Sequence, residues 1–151
     1  MWALRQLPSY FAGEGVNHWA SRSEIEFPDP RLVDESGLVY VGGQLSVSNI
    51  IRAYQHGIFP WPMEGYPMLW FCPKQRGVLD FKSLHLPRRL KREMRQSPCL
   101  VTMDRAFVQV IEACSTVPRG KDGGTWILPE LKEAYINLFA AGHAHSVECW
   151  N

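Results

Sequence analysis

Between Leu38 and Trp150, apolar residues recur at two different periods, and polar or Gly/Pro clusters separate the runs. Leu38-Val39-Tyr40-Val41 reads as a short strand closed by Gly42-Gly43. Val47, Ile50, Ile51 and Tyr54 then fall at i, i+3, i+4 and i+7, which predicts a helix capped by Ser46 and ended by Gly57. The stretch from Ile58 to Phe71 is dense in proline and aromatics, so stiff loops rather than a regular ladder are expected there. Gly77-Val78-Leu79-Asp80-Phe81 reads as a second strand. Pro87 opens a helix through Gln96, with Leu90 and Met94 as a thin apolar stripe, and Pro98 stops it. Leu100 to Met103 is a third strand. Asp104 is placed to cap a helix whose inward face is Phe107, Val110, Ile111 and Cys114. Pro118 to Gly124 is a polar loop. Pro129 opens a last helix with Leu131, Ala134, Tyr135 and Leu138 inward and Gly142 at its end, and His143 to Trp150 alternates as a strand. Mixed helices and strands predict an α+β or α/β layer. Residues 1–24 show no period, with Pro8, Gly13 and Gly15 interrupting them, and are read as a loosely ordered extension.

Composition adds limits. The chain has 151 residues, 46% hydrophobic and 21% charged, which is ordinary for a folded domain. No apolar run approaches the ~20 residues of a membrane helix, and the first residues lack the features of a secretory leader. The net charge of +1 argues against a general polyanion binder, but the charge is uneven. Glu24 to Ser36 carries Glu24, Glu26, Asp29, Asp34 and Glu35 against Arg31 alone. Leu86 to Arg95 carries Arg88, Arg89, Lys91, Arg92 and Arg95 against Glu93. Within that second run Arg88, Lys91, Arg92 and Arg95 share one helix face. Such a face suits phosphate contacts along a nucleic acid, and equally suits a solvated surface.

Other candidates have two readings as well. Six tryptophans is heavy use, and Trp61 and Trp70 sit in proline-framed segments. They could be stacking platforms for flat ligands or plugs for a small core. Cys72, Cys99, Cys114 and Cys149 could form a metal site with His143 and His145, but no C-x-x-C pair occurs, which favours four reduced thiols. Gly42-Gly43 before a capped helix could hold an anion or simply make a tight turn. Hydrolase and nucleotide-loop motifs are absent.

Several motifs together resemble one family. Gly42-Gly43-Gln44-Leu45-Ser46, Ala53-Tyr54-Gln55-His56-Gly57-Ile58-Phe59-Pro60-Trp61, Trp70-Phe71-Cys72-Pro73 with Arg76, Ser83-Leu84-His85, Gly124-Thr125-Trp126-Ile127, Glu133-Ala134-Tyr135 and Gly142-His143-Ala144-His145-Ser146 occur in the order seen in leucyl/phenylalanyl-tRNA–protein transferases. The resemblance covers residues 25–151. It implies an α+β protein with a small N-terminal domain (25–75) followed by the incomplete first part of a GNAT-like acyltransferase domain (76–151). It implies transfer of Leu, Phe or Met from aminoacyl-tRNA to the N-terminal Arg or Lys of a protein, which marks that protein for N-degron degradation. No cofactor, metal or membrane is implied, and a cytoplasmic monomer is expected.

By matching position, Tyr54, Trp61 and Trp126 would contact the 3′ end of the aminoacyl-tRNA, and Arg88, Lys91, Arg92 and Arg95 its backbone. Gln44 stands where the family usually has Asp. Phe71, Cys72, Lys74 and Gln75 replace the usual Trp, Ser, Asp and Pro. The Gly-Glu-Ser and Asp-Cys-Gln segments that supply the family's catalytic polar groups have no counterpart here, so no catalytic residue is assigned. The expectation is a shortened chain, inactive by itself; the alternative is a non-catalytic module that binds the tRNA acceptor end.

Overall fold

The structure, a computed structural model, describes residues 23–118 and 125–151. The expected N-terminal extension and the glycine-rich loop therefore lie almost wholly outside the described residues. The elements are β1 (Leu38–Val41), α1 (Val47–Gln55), β2 (Phe59–Pro60), β3 (Leu69–Phe71), α2 (Arg88–Gln96), β4 (Leu100–Met103), α3 (Phe107–Thr116), α4 (Pro129–Ala140) and β5 (Val147–Trp150). This is a mixed α+β architecture with two antiparallel sheets, one ordered β1-β3-β2 and one pairing β4 with β5.

The first sheet forms where stiff loops are expected from the sequence. Prolines frame β3 without entering it, and all three of its residues are buried. Pro60 is tolerated because β2 is an edge strand, which needs no inward N–H. Trp61 continues the pairing, its N–H donating to the Leu69 carbonyl at 2.7 Å. Successive side chains of β3 point to opposite faces. Trp70 faces Ile25, Val39, Ile50, Ala53 and Ile58, and this cluster also takes in Ala134 and Leu138 of α4. Leu69 and Phe71 face the other way, onto Phe59, Trp61 and Met63. The core thus joins residues from both sides of position 75.

Two polar devices lock this core. Trp70 is fully buried and donates its indole N–H to the Gly42 carbonyl at 3.0 Å. Asn49 is also fully buried. Its Oδ1 accepts from the Ile25 N–H at 3.0 Å, and its Nδ2 donates to the carbonyls of Ser23 and Gln44, each at 3.0 Å. One amide therefore ties the incoming strand-like segment, the glycine turn and α1 together. Ser46 caps α1 as expected, accepting from the Asn49 N–H at 3.3 Å.

Three further expectations fail. Gly77 to Phe81 is not a strand: Val78 and Phe81 are 89% and 80% exposed, with no partner strand beside them among the described residues. Leu90 and Met94 do not bury a stripe, for α2 has no buried residue. Asp104 does not cap α3. It sits at φ 59°, a conformation Asp tolerates better than most residues, and its carboxylate turns instead to His145 and Ser146, just ahead of β5.

Candidate functional site

Helix α1 carries Tyr54 near its C-terminal end, and α4 carries Tyr135 on the side facing it. The two phenol oxygens are hydrogen-bonded to each other. Burial raises the pKa of both, and the Tyr54 phenol raises that of Tyr135 further, so both are neutral donors at physiological pH.

Trp61 leaves the end of β2 half-buried. Its indole lies parallel to that of Trp126, with ring centroids 5.5 Å apart and planes 8° apart. Phe59 meets Trp61 edge-on at 6.3 Å. The Arg76 guanidinium stands 5.2 Å over the Phe59 ring and donates to the Gly57 carbonyl at 2.5 Å. On the other side, Thr125 Oγ1 accepts from the Ile127 N–H at 3.1 Å, and Ile127 is buried, which orients the Trp126 backbone. The sequence motifs around Trp61 and Trp126 thus meet in space although 65 positions separate them (126 less 61). Trp70, the other proline-framed candidate, is a core residue. A pair of half-buried indoles in a fixed stack, held by proline and sheet geometry, suits a planar ligand added to the stack or laid along its edge.

The basic residues form a separate feature. Arg88, Lys91, Arg92 and Arg95 line one open groove along α2 with Gln96. Arg89 points away from it and pairs with Glu93 at 2.9 Å. None of the four groove cations has an ion-pair partner among the described residues. No hydrogen bond, ion pair or ring contact links α2 to the tyrosines or indoles among the described residues.

A polar cluster escaped the sequence reading. Glu148 of β5 is 6% exposed and accepts from Ser146 Oγ at 2.5 Å and Thr102 Oγ1 at 2.6 Å. It also accepts from the Ala106 and Arg105 N–H groups at 3.2 and 3.4 Å. The two hydroxyl donors, then the backbone donors, lower its pKa to about 2. Glu148 thereby supplies acceptors just ahead of α3, the task expected of Asp104. Asp104 accepts from the Ser146 N–H at 2.8 Å and contacts His145 Nδ1 at 2.8 Å, and these partners, His145 first, lower its pKa. The strand alternation hides this cluster, because Val147 and Cys149 look like the inward residues. In the structure Val147 is 69% exposed and the carboxylate is inside.

The metal reading of the cysteines and histidines finds no converging set: no three His, Cys, Asp or Glu side chains gather among the described residues. Gly42 and Gly43 make a tight turn at φ 89° and 77°, with Gly43 packed against Ile25. No helix among the described residues is long and apolar enough to cross a membrane.

Residues 78–151 match the family model described as leucyl/phenylalanyl-tRNA protein transferase, and residues 43–74 match that of its N-terminal domain. The leucyl/phenylalanyl-tRNA–protein transferase of Nitratidesulfovibrio vulgaris (strain DP4) is 47% identical over 124 residues, covering 82% of this chain and 53% of that protein. The protein of the same name from Oleidesulfovibrio alaskensis is 44% identical, covering 88% and 54% respectively. That of Pseudomonas syringae pv. tomato is 44% identical, covering 88% and 58%. The chain spans about half the length of the curated relatives it matches.

Proposed function

The chain belongs to the leucyl/phenylalanyl-tRNA protein transferase family, and from that premise we propose that it holds the acceptor end of an aminoacyl-tRNA for transfer of Leu, Phe or Met to a protein whose first residue is Arg or Lys. The observation that carries the reading is the Trp61–Trp126 stack, which two separate family motifs build together. In this reading the terminal adenine adds to the indole stack, and the neutral phenols of Tyr54 and Tyr135 offer hydrogen bonds to the 3′ end. The Arg88, Lys91, Arg92 and Arg95 groove takes backbone phosphates of the acceptor arm.

The reaction asks little covalent chemistry of these residues. The α-amine attacks the ester carbonyl, the ester C–O bond breaks, the amine gives up a proton, and the ribose oxygen leaves and is protonated. An ester is already activated, so holding it in place lowers the barrier through lost entropy already spent on binding. The aromatic platform serves that positioning, and none of its residues is assigned the proton transfer. Residues 76–151 are taken as the first part of a GNAT-like domain following the smaller 25–75 unit, in a cytoplasmic monomer.

A second reading, a module that binds the acceptor end without transfer, is favoured by the same stack, which needs no reacting group. Binding and transfer assays separate the two. A short acceptor-stem RNA ending in CCA, charged with Leu or Phe, is expected to quench indole fluorescence, and Trp126→Ala is expected to weaken it by about tenfold or more, as for one lost base stack. Equal affinity in wild type and Trp126→Ala would refute the platform. Labelled amino acid appearing on an Arg-initiated peptide would identify transfer rather than binding alone.

A further inference from the structure

Phe59 and Trp61 both pack against the buried pair Leu69 and Phe71 of β3. That cluster holds the Phe59 ring edge-on to the Trp61 indole. Phe59 also meets Arg76, whose guanidinium carbon lies 5.2 Å from the ring centroid. Arg76 Nη2 donates at 2.5 Å to the carbonyl of Gly57, in the turn that ends α1. The end of a helix carries partial negative charge, so this anchor suits a cation. A guanidinium has several further N–H donors in a rigid fork, and the Gly57 carbonyl takes one. Arg76 is exposed, and among the described residues no carboxylate pairs with it. Lys74, two positions earlier, differs in being held by Glu35 at 2.7 Å. A ring and a carbonyl thus fix the Arg76 guanidinium one aromatic ring away from the indole stack and leave its charge uncompensated.

Building on the platform reading of the Trp61–Trp126 stack, we propose that Arg76 binds the 5′ phosphate of the nucleotide whose base joins that stack. A nucleotide carries its phosphate beside its base, not over it. A base laid on the indoles therefore presents its 5′ phosphate at the rim, to a cation standing one ring away. Arginine is suited to this task, because its planar fork matches the oxygens of a phosphodiester. The subsite is distinct from the α2 groove, which no contact joins to the indoles among the described residues. Phe59 does join Arg76 to Trp61, so folded side chains set the spacing between base and phosphate sites. Stacking by itself tolerates every base. A fixed cation on one side adds direction: the 5′ phosphate turns toward Phe59, and the ribose 3′ position, which carries the amino acid, turns away from it.

The test compares a pair of stable probes, each an adenosine with phenylalanine amide-linked at the 3′ position. One carries a free 5′ hydroxyl and the other a 5′ methyl phosphodiester. Indole fluorescence of the full chain reads the affinity for each. Wild type is expected to prefer the phosphodiester by about three- to tenfold, as for an exposed charge-assisted contact. Its log–log salt slope is expected to be steeper for that probe by about 0.7, the value for one phosphate of a single strand. Arg76→Gln is expected to abolish both differences, and Arg76→Lys, which keeps the charge, to retain the difference in slope. Comparing the probes within one variant cancels any disturbance of the platform that they share. Equal wild-type affinity for the two probes, or a preference that Arg76→Gln leaves intact, would overturn the phosphate subsite alone. So would an Arg76→Gln chain that binds neither probe, since Arg76 would then be a structural prop. Wild type binding neither probe would overturn the platform reading, and the subsite with it.

Discussion

Replacing Asn49 tests the fold where it is most concentrated. Asn49→Ala removes three hydrogen bonds at once and leaves the buried Ile25 N–H without its acceptor. At about 1 kcal/mol net for each bond, the loss is about 3 kcal/mol, or a melting point lower by roughly 6–12 °C. Asn49→Asp keeps an acceptor for Ile25 but turns a carboxylate oxygen toward the Ser23 and Gln44 carbonyls. Burial and those carbonyls favour the protonated acid, which can donate to one of them. The introduced carboxyl therefore has a raised native pKa, and the Asp variant is expected to be more damaged at pH 8 than at pH 5. The Ala variant carries no such titration. Urea unfolding of both variants at the two pH values, followed by indole fluorescence, measures the difference. An Ala variant within about 0.5 kcal/mol of wild type, below the cost of one lost bond, would refute the bridging role. So would an Asp variant whose damage ignores pH.

Three further outcomes follow from the geometry. Glu148 has a native pKa of about 2 against an ordinary 4.5, so its stabilisation is full above pH 4.5 and drains away as pH falls toward 2; Glu148→Gln is expected to flatten that acid limb in a pH series of thermal melts. Gly43→Ala is expected to destabilise by about 2–3 kcal/mol in urea, since the residue sits at φ 77° and a Cβ would meet Ile25 Cδ1 at 2.5 Å. Arg92→Ala with Arg95→Ala is expected to shallow the salt dependence of acceptor-stem RNA binding by roughly 0.7–0.9 in log–log slope per lost phosphate contact; an unchanged slope would remove the α2 groove from the interface.

Much of this molecule is written locally. Helices α1 and α4 follow from their apolar spacing, Ser46, Pro129 and the glycines that end them. β1, β4 and β5 follow from short apolar runs. The family motifs also brought out Trp61 and Trp126, although composition alone could not distinguish a platform from a core plug. β3 was hidden because a three-residue strand framed by Pro67 and Pro73 carries too little pattern to outweigh them, and only burial on both faces makes the segment a central strand. Val78 to Phe81 has the pattern but lacks a partner strand among the described residues. Asn49, Asp104 and Glu148 defeat local reading for one reason. Each is a polar residue whose role depends on at least one group more than twenty positions away in sequence: Ile25 for Asn49, His145 for Asp104 and Thr102 for Glu148.

The exposure of α2 has a dynamic consequence. A nine-residue helix with no buried side chain gains almost nothing from tertiary packing, and one i,i+4 ion pair cannot offset the cost of its nucleus. Its backbone amides should exchange with solvent near the rate of a free peptide, while those of α4, clamped between the core and Phe107, exchange only through larger openings. Four like charges on one side add mutual repulsion that a bound polyanion would remove. Ligand and helix would then order together, and amide protection in α2 becomes a direct reporter of occupancy.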